Sequence, residues 1–455
     1  MDPTQAQSAR DLVPLGDALR YWAKLGFINF GGPAGQIAIM HDELVDRKRW
    51  ISNSRFFHAL NYCMLLPGPE AQQLAIYIGW LLNGTVGGIA AGVLFVLPAF
   101  FLILGLSWAY VVHGDIGWVA ALFYGLRAAV IALVAAALIR VASRALRNPL
   151  LVTIAAAAFV AIYFLKVPFP LIVAGAAIIG WIGLRGAPDL LTAAGHGGDT
   201  GDEHPVLSDA VDGRSPRTSW ARTIRVLAVG LAVWWGPLLA VLAIRGSDDT
   251  LSQQALFFSQ AAMVTFGGAY AVLAYIDQAA VEHFGWLEQG QMVTGLGLAE
   301  STPGPLILVT EFVGFLGAYR FPQGLDPLLA GVLGASVTVW ATFAPCFLWI
   351  FLGAPFIEEL RGNRALNGAL SGVTAAVVGV ILNLALSFGI AALFDRSREV
   401  ELLHVTFPVP VLDSIDAFSA VLAVAGFLAL WRYRVPVLWM IGASAIAGIA
   451  YRALI

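Results

Sequence analysis

The sequence Pro67-Gly68-Pro69 occurs a second time, 236 residues later, as Pro303-Gly304-Pro305 (303 − 67 = 236). The same spacing relates two further landmarks: Gly31-Gly32 to Gly267-Gly268, and Trp50 to Trp286. Three landmarks at one spacing indicate that the chain contains two copies of one unit. Because proline and glycine interrupt helices, each copy is predicted to contain helices that break inside apolar sequence, a pattern typical of membrane transporters.

The composition indicates an integral membrane protein. Of the 455 residues, 59% are apolar and 12% are charged, whereas a soluble domain carries about 25% charged residues. A helix needs about 20 apolar residues to cross a bilayer. Four uncharged runs reach or approach that length: 86–112, 226–244, 328–352 and 365–394. We therefore predict an all-α polytopic membrane protein embedded in a lipid bilayer.

The same composition excludes several other classes of protein. No block of basic residues offers a surface for nucleic acid. Cys63 and Cys346 are not related by the repeat spacing, and we interpret them as small buried hydrophobic residues. The sequence has no metal-ligand spacing, phosphate-binding loop or nucleophile set. We therefore expect no cofactor, no metal and no enzymatic activity.

A polar stretch divides the chain. Residues 186–220 are rich in Gly, Asp, Ser and Pro, a composition typical of a flexible linker. The predicted division is a first repeat at 1–185, the linker at 186–220 and a second repeat at 221–455. The second repeat begins with an apolar helix at 226–244 that has no partner in the first.

The placement of positive charge predicts the orientation of the repeats. The loop after the first broken segment carries Arg47, Lys48, Arg49 and Arg55, whereas the corresponding loop at 277–289 has no Lys or Arg. Because Lys and Arg stay preferentially in the cytoplasm, this opposite bias predicts inverted repeats. The extra helix supplies the odd number of crossings between copies that inversion requires. The N-terminus, which lacks a signal-peptide pattern, and the linker are expected in the cytoplasm.

Two arrangements of the Pro-Gly-Pro segments remain open. If the segments cross the membrane completely, Arg140, Arg144 and Arg147 fall outside, against the charge rule. If the segments dip into the membrane and return, these three residues stay in the cytoplasm, while Arg396 and Arg398 remain outside. We favour the second, re-entrant arrangement.

The interrupted segments are candidate binding elements. Broken backbone within a membrane is tolerated only where it is buried in protein or lines a wet cavity. The free N–H groups at the start of a half-helix carry partial positive charge and suit an anion. We therefore predict an anion site at both Pro-Gly-Pro motifs and both Gly-Gly pairs, with the matched residues Asn29 and Thr265. The alternatives are a structural kink at the prolines and close helix packing at the glycines.

Four ionisable residues in apolar sequence are further candidates. Arg127 lies inside a predicted helix and would pair with an anionic substrate or a carboxylate, or else reach the membrane interface. Glu70 follows Pro-Gly-Pro in copy one, and Glu300 precedes it in copy two. Because burial favours the protonated form of a carboxylate, both are candidates for proton coupling. Their alternative role is a helix cap or an ion pair, and Glu311 is a weaker candidate.

These motifs resemble the signatures of the chromate ion transporter family. The resemblance rests on 27–33 (FINFGGP) and 67–75 (PGPEAQQLA) in copy one, and on 265–268 (TFGG) and 300–305 (ESTPGP) in copy two. Long-chain members of that family are fusions of two homologous domains with opposed orientation, and the resemblance covers nearly the whole chain. Copy two departs from the pattern at Ala269, where copy one has Pro33, and at Leu308-Val309, where copy one has a glutamine pair.

The resemblance adds Gln72 and Ser301 to the substrate-binding candidates. The complete set is Asn29, Gly31, Gly32, Pro67, Gly68, Pro69, Gln72, Arg127, Thr265, Gly267, Gly268, Ser301, Pro303, Gly304 and Pro305. The family resemblance implies secondary active export of chromate across the bacterial inner membrane, which confers chromate resistance, with sulfate as competitor or counter-substrate. A sulfate or other oxyanion carrier is the alternative within transport, and a membrane scaffold or sensor is the alternative outside it. A homodimer is an open expectation.

Overall fold

The computed structural model describes residues 13–114, 116–186, 220–266, 269–353, 364–402 and 405–454. The predicted cytoplasmic N-terminus up to residue 12, most of the predicted linker, and Gly267-Gly268 lie outside the described residues. The helices of copy one are α1 Leu15–Ile28, α2 Gly32–His41, α3 Asn53–Cys63, α4 Glu70–His113, α5 Gly117–Ala145, α6 Pro149–Tyr163 and α7 Phe169–Gly186.

Copy two repeats this order after one additional helix, α8. Its helices are α8 Trp220–Arg245, α9 Thr250–Met263, α10 Ala269–Gln278, α11 Gln291–Ser301, α12 Val309–Arg320, α13 Pro327–Gly353, α14 Arg364–Leu393, α15 Ala417–Trp431 and α16 Val437–Leu454. The 3₁₀ turn Leu306–Leu308 leads into α12, and two strands, β1 Ser397–Leu402 and β2 Val405–Pro410, pair antiparallel. The predicted extra helix at 226–244 is therefore present as α8 with slightly wider bounds.

Helix length and composition agree with a polytopic membrane protein. Among the described residues, six helices are long and apolar enough to cross a membrane: Glu70–His113, Gly117–Ala145, Trp220–Arg245, Pro327–Gly353, Gly368–Leu393 and Val437–Leu454. The apolar helices α6 and α15 have 15 residues each, which gives about 22 Å of length and falls short of a full crossing. The prediction of an all-α polytopic membrane protein is confirmed.

The breaks lie where the proline and glycine motifs stand. The Gly31-Gly32 pair separates α1 from α2, and each Pro-Gly-Pro motif separates two helical segments. A further break occurs inside α4 at Asn83 and Gly84, where Gly84 has φ +65°. The chain reverses there. Gly79 and Gly87 would be far apart in a continuous helix, yet a Cβ on Gly79 would lie 2.5 Å from the carbonyl oxygen of Gly87. The first 13 residues of α4 (70–82) therefore form a half-helix that packs against the rest of α4 as a tight hairpin.

Copy two forms the same hairpin with a longer connection. Here α12 and α13 are separate helices, joined by residues 321–326. Gly314 of α12 packs against Gly334 of α13, as Gly79 packs against Gly87 in copy one. The growth of the repeat spacing from 236 to 247 therefore falls between Gly314 and Gly334.

The two copies exchange their helices rather than folding side by side. Gly125 of α5 packs against Ser444 and Gly448 of α16, so a copy-one helix meets the last helix of copy two. The equivalent glycine, Gly372 of α14 (372 − 125 = 247), packs against Gly180 of α7 in copy one. The buried residues form one continuous core that runs through both copies. The closing helices of each copy therefore cover the long helix of the other.

We predict that Gly372→Ala destabilises the protein, because α14 and α7 approach each other closely at this glycine. A Cβ at Gly372 would overlap the main-chain oxygen of Ala176, and backbone cannot yield as a side chain can. The expected loss is about 1–3 kcal/mol of unfolding free energy, measured as a lower melting temperature in detergent. Gly389→Ala in the same helix is the control, because no heavy atom lies within 4 Å of its added Cβ. Equal melting temperatures for the two variants would contradict the exchanged packing.

The β-hairpin was not predicted from the sequence. It is inserted between α14 and α15, and its strands contain polar residues and two prolines, so the apolar periodicity gives no signal there. It contacts copy one, where the Tyr163 hydroxyl donates to the Pro408 carbonyl over 3.3 Å and Phe164 packs on Phe407 with ring centroids 5.5 Å apart.

Candidate anion site

Four helical segments begin at one small internal cavity. The segments are α2, α4, α10 and the 3₁₀ turn before α12, two from each copy. The cavity has a volume of about 10 Å³, roughly the space of one water molecule, so the segments would have to move apart to admit a larger ligand. It is lined by Pro33, Gln36, Pro69, Glu70, Ala71, Thr265, Ala269, Pro305, Leu306 and Ile307. Eight of the ten lining residues lie in the first turn of one of these segments or directly before it, while Gln36 is the fifth residue of α2 and Thr265 lies four residues before α10. The interrupted segments of both copies therefore meet at one place.

The residues directly before three of these segments do not cap them with a side chain. The first N–H groups of a helix have no acceptor within the helix. The residues that precede α2, α4 and the 3₁₀ turn are Gly31, Pro69 and Pro305, and none of them supplies a side-chain cap. Pro33 pre-organises the first turn of α2, and Gly31 reaches φ +91°, which glycine adopts without strain. The cavity is thus surrounded by the positive ends of helices.

The two Pro-Gly-Pro motifs are each bound by the other copy. The Gly68 N–H donates to the Thr265 carbonyl over 2.8 Å, and the Gly304 N–H donates to the Asn29 carbonyl over 3.3 Å. Gly304 is the repeat equivalent of Gly68, and Thr265 is the repeat equivalent of Asn29, both at spacing 236. The second hydrogen bond is therefore the first with the copies exchanged. This reciprocity is the relation that a two-fold axis between the copies produces.

The glycine in each motif has one conformation and one kind of neighbour. Gly68 has φ +118° and Gly304 has φ +122°. A Cβ on Gly68 would lie 2.9 Å from Cys346 Sγ, and a Cβ on Gly304 would overlap Ala99 Cβ. Cys346 and Ala99 are related by the spacing of 247. Each motif therefore packs closely against the helix that follows the hairpin turn of the other copy. A side chain at either motif glycine would require these neighbours to move.

Two glutamine side chains hold the broken backbone. Gln36 Nε2 donates to the carbonyls of Asn29 over 3.0 Å and Gly304 over 2.5 Å, so it joins both copies. Gln73 Nε2 donates to the Pro67 carbonyl over 2.7 Å. Gln36 is fully buried, lines the cavity and leaves its Oε1 atom without a hydrogen-bond partner. Sequence reasoning missed Gln36, although a lone amide in an apolar segment was a visible signal.

Several predicted ligands have structural contacts instead of facing the cavity. Asn29 Nδ2 donates to the Phe95 carbonyl over 3.3 Å, and Gln72 Nε2 donates to the Gly92 carbonyl over 3.4 Å. The Ser301 hydroxyl donates to the Leu298 carbonyl within its own helix over 2.9 Å. Thr265, by contrast, does line the cavity. The structure thus brings the segment starts together and places part of the predicted side-chain set behind them.

The two glutamates that flank the motifs have different surroundings. Glu70 begins α4 and lines the cavity. Glu300 is 6% exposed and accepts a hydrogen bond from the hydroxyl of Tyr270, the second residue of α10. Glu300 therefore ties α11 to the start of α10, whereas Glu70 stands where a ligand would bind.

Arg127 lines a different cavity. This larger space, about 570 Å³, is called the vestibule here and is lined by Tyr110, Val111, Gly114, Ala120, Phe123, Tyr124, Arg127, Glu288, Gln291, Leu316, Tyr319, Arg320 and Arg452. Arg127 Nε donates to the Thr294 hydroxyl over 3.2 Å and so joins α5 of copy one to α11 of copy two. Arg127 therefore does not line the small cavity at the half-helix starts.

The vestibule carries more positive than negative charge. It contains three arginines and one carboxylate, Glu288, which pairs with Arg320 over 2.8 Å. Helix α11 starts at Gln291 in the vestibule and ends at Ser301, just before Pro303. Its 11 residues span about 16 Å. A cleft lined by one sign of charge raises the local concentration of the opposite ion, so the vestibule would gather anions one short helix away from the cavity.

The sequence matches a described family over both copies. The family model described as Chromate transporter matches residues 16–181 and residues 252–449. The chain belongs to the chromate transporter family. This membership agrees with the resemblance of the Gly-Gly and Pro-Gly-Pro motifs, and both matched stretches contain one motif of each kind.

Relatives in this family are similar to the chain over most of its length. The chromate transport protein of Pseudomonas aeruginosa is 31% identical over 93% of this chain and 89% of that protein. The chromate transport protein of Cupriavidus metallidurans is 29% identical over 95% and 92%, respectively. The probable chromate transport protein of Synechococcus elongatus is 30% identical over 83% and 85%. These relatives are transport proteins and not enzymes, and no solved structure matches the chain significantly.

Proposed function

We propose that this protein is a secondary active transporter that exports chromate across the bacterial inner membrane and so confers chromate resistance. The observation that carries this proposal is the meeting of four helix starts from two copies around one cavity. Membership of the chromate transporter family supports chromate as the substrate. The direction of transport, the role in resistance and the inner-membrane location are inferences from the family resemblance.

Main-chain donors at helix starts suit a tetrahedral dianion that must be both bound and released. Such donors favour negative charge through partial charges and hydrogen bonds. The residues lining the cavity include no Lys or Arg. A site without a full positive charge binds a dianion less tightly than an arginine clamp does, which permits release on the far side of the membrane. The cavity therefore combines recognition of an anion with reversible binding.

The reciprocal hydrogen bonds support an arrangement of inverted repeats. Gly68 with Thr265 and Gly304 with Asn29 exchange roles between the copies. The opposite Lys and Arg bias of the equivalent loops supports an axis in the plane of the membrane. Under this proposal the two copies would open the cavity alternately to the two sides. Cytoplasmic placement of the N-terminus and the linker follows from the same charge bias.

Sulfate is the second candidate substrate or counter-substrate. It is a tetrahedral dianion like chromate. Main-chain N–H groups would therefore not distinguish chromate from sulfate by shape alone. An exchange of chromate for sulfate would use the same cavity. Glu70, which lines that cavity, is proposed to take up a proton when the cavity is loaded, because an ionised carboxylate beside a dianion is strongly unfavourable.

The proposal predicts chromate counterflow in reconstituted vesicles. Vesicles loaded with unlabelled chromate should accumulate labelled chromate, and vesicles loaded with sulfate should do so if sulfate is a counter-substrate. An imposed pH gradient then tests whether protons drive the flux. Vesicles without protein and vesicles loaded with chloride are the controls. A membrane scaffold would show no counterflow under any condition, and that result would overturn the proposed function.

A further inference from the structure

A fully buried carboxylate lies one helical turn behind the candidate anion site. Glu311 is 0% exposed, and neither of its carboxylate oxygens has a hydrogen-bond partner among the described residues. It stands in the first turn of α12, four residues after Ile307, which lines the cavity. Residues four apart in a helical segment lie on one face, so Glu311 follows the cavity wall along the same segment.

The surroundings of Glu311 contain further polar atoms without partners. Gln254 Nε2 donates to the carbonyl of Gly314, one turn beyond Glu311, over 2.9 Å, while its Oε1 atom has no partner. The Thr338 hydroxyl, which would be overlapped by a Cβ on Gly314, also has no partner. Gln254 and Thr338 are both 0% exposed. Unpartnered oxygens from three different helices are therefore buried together around one turn of α12.

This polar group exists in copy two alone. The repeat spacing of 236 places Ala18 opposite Gln254 and Ala75 opposite Glu311, and the spacing of 247 places Ala91 opposite Thr338. If these side chains only supported a kink or packing that both copies share, copy one would be expected to have similar side chains. The asymmetry indicates a task that only the second half-helix performs.

Within the described part of the chain, Glu311 forms no ion pair or hydrogen bond that would balance an ionised form. Helix α12 packs against α4, α9, α11 and α13. The titratable residues of these helices are Glu70, Tyr77, Tyr110 and His113 on α4, Glu300 on α11 and Cys346 on α13, with none on α9. None of them hydrogen-bonds to Glu311. An isolated ionised carboxylate in such an interior is very costly, so binding a proton at Glu311 removes a large electrostatic penalty.

We infer that Glu311 is a proton-binding site that couples proton uptake to anion binding in the neighbouring cavity. The inference rests on the proposed function. When a dianion enters the cavity, it repels a negative charge on Glu311, because the intervening protein interior screens charge poorly. Protonation from water forms one O–H bond on the carboxylate and removes that repulsion. By linkage, anion binding raises the proton affinity of Glu311, and a lower pH tightens anion binding to the same extent.

The test measures protons taken up by the purified, detergent-solubilised protein when chromate is added. At a pH alkaline enough to ionise Glu311 in the empty protein, we expect Glu311→Gln to take up one proton fewer per bound chromate than the wild type. Its chromate affinity should vary at least about tenfold less between high and low pH. Chromate speciation is the same for both proteins, so the difference belongs to the protein. Glu282→Gln is the matched control, because Glu282 is exposed and pairs with Lys166 over 3.7 Å. It should behave as the wild type.

A second measurement is independent of transport. With chromate bound, or at low pH, the infrared spectrum should contain the carbonyl stretch of a protonated carboxylic acid that disappears in Glu311→Gln. Glu311→Ala, which installs the residue type found at the equivalent position of copy one, should lose the same band if Gln fails to fold. If Glu311→Gln binds chromate and takes up as many protons as the wild type, the proposed coupling is wrong and the proposed function is unaffected. The same holds if the infrared band of the variant is unchanged. Absence of saturable chromate binding by the wild type would overturn the proposed function and the coupling with it.

Discussion

Gly304→Ala is expected to reduce chromate counterflow roughly tenfold or more, since a penalty of about 1.4 kcal/mol already corresponds to a factor of ten. Gly304 has φ +122°, a conformation that alanine rarely adopts. Holding a residue in such a region costs about 1–3 kcal/mol. A Cβ would in addition overlap Ala99 Cβ on the facing helix. To relieve the backbone strain and the overlap with Ala99, the chain would have to shift at Pro305. That shift would displace the main-chain donors around the cavity. Initial counterflow rates at equal protein density in the membrane measure the effect.

The chain offers graded controls for this prediction. Gly68→Ala should be milder, because its Cβ would meet Cys346 Sγ and the end of Gln73, which are side-chain atoms that can shift. Ala99→Gly in the Gly304→Ala background should recover part of the rate, since it removes the overlap and leaves the backbone strain. Gly105→Ala, whose added Cβ meets nothing within 4 Å, should keep the full rate. Normal counterflow in Gly304→Ala would argue against a functional role for the break.

Arg127→Gln is the second large effect that we expect. The substitution removes a positive charge from the vestibule and the hydrogen bond from Arg127 Nε to the Thr294 hydroxyl. We expect initial uptake at low substrate concentration to fall about tenfold, because loss of electrostatic attraction lowers the rate of anion entry. The wild-type rate should fall as ionic strength rises, since salt screens charges over a Debye length of about 10 Å at 0.1 M. The variant should show a weaker salt dependence.

Two further variants separate charge from positioning. Thr294→Val keeps the charge and removes the acceptor, so it reports the contribution of the contact between α5 and α11. Arg452→Gln removes a charge from the vestibule without touching Thr294, so it should lower uptake and weaken its salt dependence through electrostatics alone. Arg452 stacks over the Tyr124 ring at 4.7 Å, so melting temperatures are needed to exclude loss of packing. Equal rates for Arg127→Gln and the wild type at every salt concentration would exclude the vestibule as an entry route.

The positions of the breaks could be predicted from the sequence because they are local. Proline removes a hydrogen-bond donor and glycine reaches positive φ, so Pro67-Gly68-Pro69 and Gly31-Gly32 interrupt helices wherever they stand. The hairpin turn at Asn83-Gly84 was visible only as the end of one run and the start of another. The contacts of Gln36 and Gln72 could not be predicted, since an amide contributes the same polarity to any sequence pattern.

The site itself depends on distances between residues far apart in the chain. Arg127 was a candidate for substrate binding and Glu70 a candidate for proton coupling, both as ionisable residues in apolar sequence, yet Glu70 lines the small cavity and Arg127 lines the vestibule. Glu311 was the weakest of the sequence candidates. Its isolation became evident only when α4, α9, α11 and α13 were seen to surround it without an ion pair or hydrogen bond among the described residues. Such isolation is a property of packing and has no sequence signal.

The sequence by itself determined the duplication, the membrane-spanning character and the interruption of the helices, because repeat spacing, apolar length and backbone chemistry are all written along the chain. Only the tertiary structure decided which interruptions meet. It brings Gly68 to Thr265 and Gly304 to Asn29, so each copy completes the broken backbone of the other. The physical reason is that a freed N–H group inside a membrane must find an acceptor or a ligand, and its own helix can supply neither.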